Sequence, residues 1–197
     1  MNTMDFNKKL VVKKTVNEHQ SYVTRSGRGF QEEIYTMIFN GLKGNEKIVV
    51  AQPSPKIQTS PPNNEKKKRK SKRFVCLEIH TPAGSIIGDT DIVIFNKKRA
   101  VPLCIVSCKT SLHSRNTESL YYARLYRDMY GKTLPFFFVT KDKNKNKSEL
   151  GSVSKPTKPR VLFEYENISV YSTNPKTQLG GCIKPISHLL PDLKRIC

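Results

Sequence analysis

From Ser26 onward the apolar residues fall into runs whose spacing changes along the chain, and the spacing predicts the elements. Phe30, Ile34, Met37, Ile38 and Phe39, followed by Leu42, recur at helical intervals. Ser26 is a candidate cap, Glu32 and Glu33 fall in the early turns, and Gly41 and Gly44 end the run, so an amphipathic helix is expected there. Lys47–Gln52 reads as a short strand. Phe74–His80 alternates like a half-buried strand, Ile86–Phe95 is a strand interrupted by GDTD, and Leu103–Cys108 is apolar and β-rich. A second helix is expected from an N-cap at Thr117 to a stop at Gly131, with Leu120, Ala123, Leu125 and Met129 on its buried side. Leu134–Thr140 is a continuous apolar strand of the kind buried on both faces. Val161–Tyr165 and Ile168–Tyr171 are expected to form a hairpin around Glu166 and Asn167, and the stretch from Ile186 to Ile196 a short helix.

The order α, β, β, β, α, β predicts an α/β fold with a central mixed β-sheet flanked by helices. A length of 197 residues suggests a single domain over 1–197. Its core is expected at about 26–140, interrupted by a Pro- and Lys-rich loop at about 52–73 and followed by an extension at about 141–197.

Charge changes this picture. Lys and Arg total 35 against 16 Asp and Glu, a net charge of +19, which repels itself unless a polyanion is near. Nucleic acid is the expected partner, because basic surfaces that neutralise phosphates release counterions. The run Lys66–Arg73 is almost wholly basic and is a candidate for phosphate contact, centred on Lys68, Arg69 and Lys70. The five cysteines are an odd number without a CxxC pair, and the four histidines are scattered, so neither a disulfide scaffold nor a zinc site is expected. No apolar run is long enough to cross a bilayer, and the first residues lack the apolar region of a signal peptide. A cytoplasmic protein without membrane contact is expected.

The segment Gly88 to Ser111 carries the candidate chemistry. Asp91 opens the apolar run IVIF, and sixteen residues on, Ser107 and Lys109 close the next apolar run. Alternation puts Ser107 and Lys109 on one face and Cys108 on the other, and antiparallel pairing would bring Asp91 beside them. A carboxylate and a lysine converging at a sheet end suit phosphodiester hydrolysis. A hard divalent ion there needs only one or two carboxylates, and a lysine stabilises charge building on the phosphate.

This segment resembles the signature of the PD-(D/E)XK nucleases, an acid opening one strand and an acid-X-Lys closing the next. Within that superfamily it is most similar to type II restriction endonucleases in the S-X-K variant. The resemblance covers about Ser26 to Thr140 and implies Mg²⁺ as cofactor, Asp91 as metal ligand and Lys109 as catalytic lysine. Thr90 stands where the motif has proline, which only shapes the turn. Ser107 stands where it has an acid, so the missing carboxylate is expected from a helix. Glu33 and Glu118 are the leading candidates for that role and for metal binding, with Glu32 and Asp89 behind them.

Arg25 and Arg28 before the first helix, and Ser111, His113 and Arg115 before the second, are candidate DNA contacts. Tyr121, Tyr122, Tyr126 and Tyr130 are expected to serve as core and rim aromatics. The resemblance implies Mg²⁺-dependent, sequence-specific cutting of double-stranded DNA to 5′-phosphate ends by a homodimer. A DNA methyltransferase is implied in the same system, without physical contact. The alternatives are a structure-specific DNA nuclease, resolvase-like or for repair, and a non-catalytic basic nucleic-acid-binding protein.

Overall fold

A computed structural model describes residues 26–53, 74–82, 84–88, 90–99, 101–112, 116–131, 134–142 and 148–197. Arg25, Asp89, His113, Arg115 and the basic run with Lys68, Arg69 and Lys70 lie outside the described residues.

Helix α1 runs over 26–41 and leads through a turn at Gly44, which takes a positive φ, into β1 (Ile48–Ala51). A 3₁₀ turn (Val75–Leu77) opens the antiparallel pair β2 (Glu78–Thr81) and β3 (Gly84–Ile87). Next come β4 (Ile92–Asn96), β5 (Pro102–Lys109), α2 (Asn116–Tyr130) and β6 (Phe136–Thr140). The chain closes with α3 (Lys158–Tyr165), β7 (Ser169–Ser172), β8 (Ile183–Pro185) and α4 (Leu189–Ile196).

Six strands form one sheet in the order β1-β4-β5-β6-β7-β8. The β1–β4 and β4–β5 pairs are antiparallel, whereas β5–β6, β6–β7 and β7–β8 are parallel. Alternation along the strands divides the core into two layers. Val93, Phe95, Ile105, Phe136 and Phe138 meet α2 and α3 through Leu120, Ala123, Tyr126 and Phe163. On the opposite face Ile92, Ile94, Cys104, Val106 and Val139 meet α1 and α4 through Phe30, Ile34, Ile38, Leu189 and Leu193. The result is a mixed sheet between two helical layers, the expected fold class. Among the described residues no helix is long and apolar enough to cross a membrane.

Several expectations need correction. Val161–Tyr165 is not a strand but part of α3, whose first turn contains Pro159 after Thr157 at the N-cap position. The fixed φ of proline suits a helix start, and a five-residue apolar run does not by its periodicity separate strand from helix. Glu166 and Asn167 therefore end a helix, with Asn167 at φ 50°, and Ile168–Tyr171 leads into a strand parallel to β6. Second, the residues after Thr140 add β7 and β8 to the same sheet. Third, Met129 is exposed at 44%, and Tyr126 takes its place on the buried side of α2. The interrupted Ile86–Phe95 stretch is two strands in two different sheets, split at Gly88 to Asp91.

Candidate active site

Asp91 precedes β4, and its backbone N–H donates to Val106 O at 3.2 Å, extending the antiparallel ladder by one residue. From there its carboxylate reaches the end of β5. Cys108 N–H donates to Asp91 Oδ2 at 2.6 Å, and Lys109 Nζ stands 3.6 Å from the same oxygen. Both side chains are largely enclosed, 12% exposed for Lys109 and 19% for Asp91. A lysine at the end of an apolar strand is costly without an anion, and Asp91 supplies one. The backbone amide holds the carboxylate in a fixed orientation, as charge-assisted bonds do.

Ser107 lies on the same face as Lys109, two residues back along β5, and is fully buried. Its hydroxyl lies 3.5 Å from that of Ser119, in the first turns of α2. That contact joins the start of α2 to β5; Glu118, next to Ser119 in sequence, is exposed in the first turn of α2. From the opposite layer, Gln31 Nε2 on α1 donates to the backbone carbonyl of Asp91 at 3.1 Å. Glu33 is exposed on α1. At about 100° per residue it lies some 200° around the helix from Gln31, away from the flank that touches Asp91.

The approach to Asp91 is clamped. The Tyr126 hydroxyl accepts from Gly88 N–H at 2.8 Å and donates to Leu77 O at 3.2 Å, tying the turn before Asp91 to α2. The ring of Tyr122 covers Gly88 so closely that a Cβ there would overlap it. Of the aromatic stripe on α2, Tyr126 is core, Tyr122 and Tyr130 pack against it, and Tyr121 is 59% exposed.

Beyond Lys109, Ser111 Oγ donates to Glu149 Oε1 at 2.9 Å and Leu112 N–H to Glu149 Oε2 at 2.6 Å. Glu149 is in turn held by Asp142, a fully buried residue at φ 44° after β6. Asp142 Oδ1 accepts Glu149 N–H at 2.7 Å and Leu150 N–H at 3.0 Å, while Oδ2 accepts the hydroxyls of Ser148 and Thr177. Neither acid stood out in the sequence, since they sit in a Lys- and Asn-rich polar stretch. Lys141 was also missed. Its Nζ lies 4.9 Å from the ring centroid of Phe30, so this edge carries Lys141 as well as the exposed Arg28 at the start of α1.

None of the five cysteines forms a disulfide, and burial pushes the thiols of Cys76, Cys104, Cys182 and Cys197 up, Cys182 to about 11. Among the described residues no group of three or more His, Cys, Asp or Glu side chains gathers as a metal cluster. The available donors are hard oxygens led by Asp91.

Comparison with known proteins follows this geometry. The family described as BsaWI restriction endonuclease type 2 matches residues 63–192, a span holding Asp91, Ser107, Lys109 and Glu118. The chain belongs to that family. Helix α1, with Glu33, precedes the matched span. A Methanocaldococcus jannaschii protein assigned as the type II restriction enzyme MjaVIP is 25% identical over 156 residues, covering 78% of this chain and 66% of that protein. A crystal structure of restriction endonuclease AgeI in a specific DNA complex superposes with a TM-score of 0.60 at 20% identity, over 85% of this chain and 61% of AgeI. That likeness shows a shared fold. The chain spans just under two thirds of these relatives.

Proposed function

We propose that this chain is a type II restriction endonuclease that hydrolyses phosphodiester bonds in double-stranded DNA with Mg²⁺ and leaves 5′-phosphate ends. The observation that carries the reading is Lys109 Nζ at 3.6 Å from Asp91 Oδ2, on neighbouring strands at an edge where Arg28 and Lys141 also stand. Membership in the BsaWI family and a net charge of +19 support it.

The donor chemistry fits magnesium. A small hard cation accepts one or two carboxylates and keeps several waters, and Asp91 offers a held, partly exposed carboxylate. Asp91 would hold the ion together with Glu118, which neighbours Ser119 in sequence; Glu33 is the second candidate. When bound, the ion supplies charge neutralisation at the phosphate and an activated water. Lys109 orients that water and offsets charge on the phosphoryl oxygens as the bond breaks. Ser107 acts as packing beneath the site, and Arg28 and Lys141 neutralise the DNA backbone. Cutting both strands at a two-fold symmetric sequence calls for two such sites, so a homodimer is part of the proposal.

Genomic DNA incubated with the protein and Mg²⁺ tests this reading. Discrete fragments whose 5′ ends ligate without phosphorylation, and no cutting in EDTA, are expected. Folded protein that leaves every duplex intact in Mg²⁺ would contradict it.

A further inference from the structure

We propose that Glu149 is a positioning residue for DNA cleavage, setting the conformation of the loop that leaves the catalytic strand. The proposal rests on the reading of Asp91 and Lys109 above. Glu149 lies 40 residues beyond Lys109 in sequence (109 to 149) yet closes over the residues that follow it. One carboxylate oxygen takes the Ser111 hydroxyl at 2.9 Å and the other takes the Leu112 amide at 2.6 Å.

The carboxylate is anchored from behind. Glu149 N–H is bound by buried Asp142, and Glu149 O accepts the hydroxyl of Thr157, just before α3, at 2.6 Å. Asp142 is itself fastened to the loop after the neighbouring strand β7, through the Thr177 hydroxyl and through Asn174 Nδ2, which donates to Asp142 O at 2.9 Å. Leu112 is buried in the core under α2, so the loop is pinned at both its side chain and its amide.

This arrangement has a purpose that packing alone does not supply. An acidic group at the edge where a phosphate backbone must approach works against binding, unless both its oxygens are taken up in holding structure. Here both are. The two bonds define where residues 110–112 leave β5, directly after Lys109. Groups that support a reacting centre in this way cost about 10- to 100-fold in activity when removed, because a shift of about 1 Å suffices to spoil alignment.

Glu149→Gln keeps the shape of the side chain but presents an amide NH₂ to one of the two donors. It is compared with wild type, Ser111→Ala and Lys109→Ala at a cleavage site mapped from wild-type fragments. Single-turnover rates are read with preference over one-base-changed sites, alongside thermal melting. The expected result is a rate about 10- to 100-fold lower and a weaker preference in Glu149→Gln. Melting stays near wild type, and the effect of Glu149→Gln is smaller in a Ser111→Ala background. Wild-type rate and preference in Glu149→Gln would overturn the proposal while leaving the Lys109 reading intact. Wild-type cutting by Lys109→Ala would overturn the active-site reading and with it the role given to Glu149, as would a wild-type protein that cuts nothing.

Discussion

Lys109 and Asp91 show how one local pattern places a pair of charges. Each stands at the end of an apolar run, and a single turn between the runs brings the two ends together, so their meeting at 3.6 Å was readable from spacing and alternation. Ser107 was readable in position but not in environment, for it is buried against Ser119 from a helix the strand pattern does not register. Glu149 was not readable at all, because its partners Ser111 and Leu112 lie 38 and 37 residues away and nothing local marks the contact. Tyr126 and Gly88 belong to the same long-range class. Tyr126→Phe removes a hydroxyl bonded on both sides and is expected to cost about 1–3 kcal/mol by leaving buried groups unpaired. Gly88→Ala drives a methyl into the Tyr122 ring, and overpacking of this kind costs about 1–3 kcal/mol. Chemical denaturation of the two variants measures both; an unchanged midpoint in either would show that the clamp before Asp91 is not formed.

Among the elements, those with one dominant face were legible: α1, β5, α2 and β6 fall where periodicity put them. The misread element was α3, whose short apolar run carries no clear period. It is fixed instead by packing, with Phe163 fully buried against Phe138 at a ring separation of 4.7 Å. Phe163→Ala is expected to destabilise by about 3–5 kcal/mol, read by urea unfolding, since the cavity falls between α3 and the sheet. Helix α4 docks through Asp192, which accepts from the Tyr171 hydroxyl and from Lys184 Nζ, both at 2.7 Å. Burial opposes ionisation of Asp192, but the bonds from Lys184 and Tyr171 and the charges of Lys184 and Arg195 outweigh it and hold its carboxyl below the ordinary value. Because the folded carboxyl titrates below the unfolded one, its contribution is complete above about pH 4 and fades as the pH falls through the depressed folded value. Asp192→Asn should therefore lower the melting temperature at neutral pH, with the gap to wild type closing below about pH 4. A gap that is constant across that range would place the docking of α4 elsewhere.

For the molecule as a whole, the same sheet end that gathers Asp91, Lys109 and the loop held by Glu149 also carries Arg28 and Lys141, in a chain of net charge +19. Duplex binding should weaken steeply with salt, log affinity falling linearly with log salt concentration at a slope of about 0.9 per phosphate neutralised. Anisotropy titrations with Ca²⁺ in place of Mg²⁺ measure that slope, and an affinity indifferent to salt would rule out a phosphate-led interface. Cleavage by Asp91 and Lys109 together is measured by single-turnover cutting of a mapped site in Mg²⁺ by wild type, Asp91→Asn and Lys109→Ala. Wild type is expected to cut discretely, and each variant to lose more than about 1,000-fold in rate with DNA binding retained, the scale of losing a transition-state charge partner. Variants that cut at wild-type rates would contradict that role.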